Sequence, residues 1–133
     1  MRLSLMLIPV LAMGASVAGG ALRAKDAVEP RMPVTVDTLA AAVEAYVDEA
    51  TVSSGGVFSI VDSVEGRMLD LRFQRVLMDR ILKVGEGSYV MGAAFLEVHS
   101  RDWYDLDFFL SGADAPSLVV TAVMIHRKNG VER

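Results

Sequence analysis

The sequence predicts an α+β domain in which one N-terminal amphipathic helix packs on a curled four- to five-stranded antiparallel sheet. Three observations carry this expectation. Only one stretch, residues 36–50, keeps apolar residues at spacings of three and four. After Gly56 the apolar period becomes two, segment after segment. The segments are joined by short turn-like links, with no helices to serve as crossovers between parallel strands.

The helix is the best defined element. Val36, Leu39, Ala40, Val43, Tyr46, Val47 and Ala50 fall on one stripe, with Asp37, Glu44, Asp48 and Glu49 largely off it. Thr35 suits the N-cap, and Asp37 sits near the positive end of the helix dipole. Ser53-Ser54-Gly55-Gly56 ends the element. Val57–Asp62 then reads as a strand and Glu65-Gly66 as a turn. In the next strand Leu69, Leu71 and Phe73 alternate with Met68, Asp70, Arg72 and Gln74. Residues 76–87 fit either pattern, and VLMDRIL is expected to form a short helical turn stopped by Gly85-Glu86-Gly87. Strand character returns over Tyr89–Val98. From Trp103 to Leu110, Tyr104, Leu106, Phe108 and Leu110 face one way, and Trp103, Asp105, Asp107 and Phe109 the other. Ser111–Ser117 is a loop, Leu118–His126 a last strand, and Asn129-Gly130 lies in the tail.

Ahead of this domain the chain starts like an exported protein. Arg2 precedes the apolar run Leu3–Met13, and small residues follow from Gly14 to Ala21, the layout of a signal peptide over residues 1–24. Cleavage after Ala18, Ala21 or Ala24 fits the small-residue requirement. An uncleaved anchor is the rival, since Leu3–Leu22 is just long enough to span a bilayer, but Pro9 and Ser16 weaken it. Residues 25–35, with Pro30 and Pro33, form an extended lead-in, and residues 36–133 the single domain. The expected home is periplasmic or secreted.

Composition narrows the function classes. Two of the 13 basic residues, Arg2 and Arg23, lie in residues 1–24 and none of the 17 acidic ones does, so the net charge falls from −4 to −6 without that stretch. An acidic surface argues against nucleic acid and anionic membranes as partners. With no cysteine, disulfides, thiolate metal sites and thiol nucleophiles are excluded. No G-x-S-x-G motif or dinucleotide fingerprint occurs, so no catalytic residue and no cofactor are assigned.

The chemistry-bearing candidates cluster in RDWYDLD. Asp105 and Asp107 project from one face of a strand and, with His126 from a neighbouring strand, make a candidate metal site. The structural alternative is a wetted sheet face paired with Arg72 or Arg75. Trp103 and Phe109 share that face, and with Asp105 and Asp107 they form a candidate ligand-binding patch. Cover by residues 76–87, or by a second copy in a homodimer, is the alternative for the aromatics. His99 belongs to a turn. Met32, Met68, Met78, Met91 and Met124 are too scattered for a soft-metal site and read as core filler. An acid–base enzyme would need a carboxylate under the helix, and the apolar-facing positions supply none.

From Gly56 to Glu132 the succession GVFSIVD, LDLRF, GEGSYVMGAAF, YDLDFFLSG and VTAVMIHRKNGVER resembles a group of small exported bacterial proteins of unknown function. The resemblance implies a helix followed by a curled antiparallel sheet, in cystatin-like or NTF2-like style, and no particular reaction. Where that group often has a glycine before YDLDFF, this chain has Ser100-Arg101-Asp102-Trp103. The function expected is non-catalytic: a small exported binding or accessory domain using its sheet face for a partner or small ligand. A metal-binding protein or metal-dependent enzyme built on Asp105, Asp107 and His126 is the alternative.

Overall fold

A computed structural model describes residues 32–133; the leader and most of the lead-in segment expected at 1–31 lie outside the described residues. Helix α1 spans Val36–Thr51. Its first turn is closed by a reciprocal pair: the Thr38 N–H donates to the Thr35 hydroxyl at 3.2 Å, and the Thr35 N–H donates to the Thr38 hydroxyl at 2.7 Å. Leu39, Ala40, Val43 and Val47 are buried, as the spacing requires. Tyr46 is 37% exposed at the edge of the stripe, yet its ring meets Phe58 and Phe108 edge-on at 6.4 and 6.1 Å. A 3-10 turn and Gly55 and Gly56, at φ +68° and +90°, turn the chain into the sheet.

The sheet has six strands: β1 (Val57–Asp62), β2 (Arg67–Gly85), β3 (Ser88–Glu97), β4 (Trp103–Ser111), β5 (Val119–Lys128) and β6 (Val131–Glu132). They lie side by side in chain order, each antiparallel to the next. Among the described residues the α+β class, a single α-helix and the antiparallel sheet are therefore present, with six strands where four or five are expected. The extra strand comes from Asn129-Gly130, which is a hairpin turn: φ is +51° and +82° at the two positions, the left-handed pair that a two-residue link demands.

Residues 76–87 also depart from expectation. They continue β2 instead of forming a helical turn, pairing Val76 with Ala93, Leu77 with Gly92, Ile81 with Met91 and Leu82 with Val90. A seven-residue helix has little stability of its own, and the ladder to β3 supplies more hydrogen bonds and burial. The helical look of VLMDRIL comes from Met78, Asp79 and Arg80, which bulge out between Leu77 and Ile81.

The inward faces of the strands and the buried stripe of α1 make one core. Leu69, Leu71, Met91, Phe95, Tyr104, Leu106 and Phe108 are fully buried there, and Phe95 stacks on Phe108 at 6.1 Å. The alternation of β4 is as the sequence predicts, with Tyr104, Leu106, Phe108 and Leu110 inside. Two carboxylates are also buried. Asp62, 1% exposed, receives the guanidinium of Arg133 at 2.7 and 3.0 Å, and the ammonium of Lys128 pairs with Glu65. These pairs tie β1 and its following turn to β5 and β6 by side chains. Glu97 closes the β3–β4 turn by accepting from the Ser100 N–H and hydroxyl, both at 2.8 Å. Burial pushes its pKa up, but hydrogen bonds from Ser100 and the Asp70 N–H outweigh that and hold it below the usual carboxylate value.

Candidate functional site

On the face turned away from α1, two neighbouring rungs of β2, β3 and β4 differ sharply in character. One carries Leu82, Val90 and Phe109, an apolar row across three strands. The next carries Gly92 and Asp107 on paired positions of β3 and β4. Because Gly92 has no side chain, Arg80 from the β2 bulge lies across β3 and reaches β4. A Cβ at Gly92 would sit 3.1 Å from the Arg80 Cβ and 3.2 Å from its Nε. The guanidinium Nη2 donates to Asp107 Oδ1 at 2.8 Å.

The opposite side of Asp107 is met by His126, through a second irregularity. The β4–β5 register shifts between Asp105 and Leu106, so that His126 is the extra residue between Ile125 and Arg127. The bulge turns His126 outward, where its Nδ1 lies 3.2 Å from Asp107 Oδ2 and its Nε2 3.7 Å from Glu132 Oε2. Each ring nitrogen faces a carboxylate, which can accept a hydrogen bond from its N–H. Arg80, Asp107 and His126 thus form a polar row anchored on three strands, mostly shielded from solvent.

Beside this row is an open cavity of about 440 Å³. Leu82, Val84, Val90 and Phe109 give it apolar walls; Arg80, Asp107 and His126 give it a polar end, and Asp79 stands at its rim. A few fixed polar groups facing an apolar wall are the usual composition of a small-molecule site. Among the described residues Asp79 has no ion-pair partner, while Asp107 is already neutralised by Arg80.

The sequence-predicted residues are only partly brought together. Phe109, Asp107 and His126 meet at the cavity. Asp105 shares the face but lies opposite Arg127 in the ladder and outside the cavity. Trp103 is 46% exposed at the start of β4, where its N–H donates to the Asn129 side chain at 2.9 Å. Both Asp107 oxygens are engaged, one by a guanidinium that stands where a metal site would want another anion. Among the described residues no group of three or more His, Cys, Asp or Glu side chains is placed to hold a metal ion. Asp62 and Glu97, the buried carboxylates that sequence reasoning missed, are committed to Arg133 and to the Ser100 turn. Arg80 was also missed, although the lone glycine inside the strand run YVMGAAF marks a close approach.

No protein-family model, no curated protein and no solved structure matches the chain.

Proposed function

We propose that this protein is a non-catalytic binding domain that holds a small amphipathic ligand in the outer-face cavity. The single observation behind the reading is that three irregularities converge there: the β2 bulge, Gly92 and the β5 bulge together assemble Arg80, Asp107 and His126 beside an apolar wall. Bulges collect where a side chain must be re-aimed, and a sheet face needing only solubility has no use for them.

The charge at the site selects the ligand. With Arg80 and Asp107 paired, Asp79 at the cavity and Glu132, 3.7 Å from His126 Nε2, leave this end acidic. A short hydrocarbon carrying an ammonium group suits these walls better than one carrying a carboxylate. Calorimetry with hexylamine and hexanoate tests this. Hexylamine binds, hexanoate does not, and Phe109→Ala abolishes the heat. Binding of neither overturns the cavity reading; binding of hexanoate alone overturns the charge argument.

The signal-like start and the resemblance to small exported bacterial proteins support a periplasmic or secreted home and a curled sheet of cystatin-like or NTF2-like style. A homodimer through the exposed surface around Trp103 belongs to the same proposal, and light scattering on the Trp103→Ser variant tests it.

A further inference from the structure

The six strands do not form a closed ring. No ladder joins β1 to β5, and a groove of about 410 Å³ runs between them, lined by Ile60, Val61, Val123, Met124 and Ile125, with Arg133 at one end. Consecutive strands are antiparallel, so β1 and β5 run the same way, and a strand between them is antiparallel to both. β6 already occupies the first rungs of that path. It pairs with Arg127 and Lys128 of β5, and the Arg133 N–H donates to the His126 carbonyl at 2.9 Å, while the Arg133 side chain reaches across to Asp62 of β1. Backbone groups of a strand alternate in direction. Asp102 and Gly112, flanking β4, bond to the β3 side and Trp103 bonds to Asn129, so Asp107 faces β5 and bonds its partner Met124. The extra residue His126 reverses the parity of β5, and Val123 and Ile125 turn their N–H and C=O into the groove.

We infer that this groove takes a short extended peptide from a partner protein, collinear with β6, which adds a strand between β1 and β5. The mouth carries no net charge, since Arg133 and Asp62 cancel at 2.7 Å. Its flanks are apolar and exposed at Val61, Val64 and Met124. An uncharged segment with β-branched or apolar residues at alternate positions is therefore the fitting occupant. A folded second copy is not. Its edge strands remain laddered to β2 or β4, and a strand with a neighbour on one side does not enter a slot walled on both.

The test uses a capped peptide alternating valine and threonine with a lysine at each end, added to the full chain and followed by amide hydrogen exchange. At a peptide concentration ten times Kd, the Val123 amide exchanges about tenfold more slowly, and chemical shifts change in β1 and β5. Val123→Pro removes a groove-facing N–H without touching the β4 ladder, so the variant folds and loses the binding. A proline-interrupted version of the peptide does not bind. Absence of binding at millimolar peptide overturns the inference. So does binding that survives Val123→Pro, protection confined to the outer-face cavity, or a dimer mass that accounts for the protected edge.

Discussion

Gly92→Val is the substitution that most sharply probes how the site is built. Even the first carbon of a side chain at Gly92 falls 3.1 Å from the Arg80 Cβ, 3.2 Å from its Nε and 3.5 Å from a Leu77 methyl. Valine adds two methyl groups to that contact, and Arg80 must leave the surface of β3. Overpacking of this kind costs about 1–3 kcal/mol. Losing the hydrogen bond to Asp107 adds a charge-assisted contact of about 1.5–3 kcal/mol. The better strand preference of valine over glycine returns up to about 1 kcal/mol, so the expected net loss is about 2–4 kcal/mol. Urea unfolding measures it, with Gly85→Ala as the control because nothing lies within 4 Å of that position. The decisive comparison is the double-mutant cycle with Arg80→Ala. With Arg80 already removed, Gly92→Val costs little, giving a coupling energy of about 2–4 kcal/mol. If the two changes add to within about 0.5 kcal/mol, Arg80 does not lie over Gly92 and the reasoning fails.

Other expectations follow from the seam and the turns. Arg133→Gln leaves the Asp62 carboxylate buried without the Nη2 that donates to both its oxygens and lowers stability by about 3 kcal/mol, and adding Asp62→Asn recovers part of that loss. Gly130→Ala, at φ +82°, costs about 1 kcal/mol and speeds exchange of the Arg133 amide as β6 detaches. Acid destabilises the fold in a stated window. Glu65, Glu97 and Asp102 are all held below their usual values: Glu65 by hydrogen bonds from Lys128 and Arg67, Glu97 by those that outweigh its burial, and Asp102 by Asn129 and Ser100. A carboxylate with a depressed folded-state pKa stabilises above its unfolded value, near 4. That contribution is lost as pH falls toward the folded value. Thermal unfolding between pH 7 and pH 3 shows a Tm that drops below about pH 4.5. Glu97→Gln flattens part of that drop, and an unchanged profile in the variant contradicts the assignment.

What the sequence made legible was periodic. The stripe of α1 and the alternation of β4 follow directly from residue spacing, because one face of each is buried against a common core. What escaped was aperiodic. The bulge at Met78–Arg80 breaks the period of two and mimics a helical turn, which hid both the continuation of β2 and the reach of Arg80. Asn129-Gly130 carried the strongest hairpin signal in the tail, but with only Val131 and Glu132 beyond it there was no alternation to reveal a sixth strand. Of the candidates, Asp107 and Phe109 were grouped by strand parity and His126 by its place near the end of the last strand, and the three line one cavity. Asp105 and Trp103 were grouped with them by the same parity, which gives the face and not the rung. The burial of Asp62 had no local signature, since its partner Arg133 is distant in sequence, and that of Glu97 was hidden because Ser100, three residues on, reads only as part of a turn.

The central claim is that Asp107 holds His126 at the polar end of a ligand cavity. Long-range proton–nitrogen correlation spectra of the His126 ring during a hexylamine titration test it most directly. The account predicts an Nδ1–H hydrogen-bonded to Asp107, ring nitrogen resonances that move as hexylamine is added, and parallel shifts of the Leu82 and Val90 methyls. A ring protonated at Nε2 alone, or His126 and both methyl groups unmoved by saturating hexylamine, would contradict it.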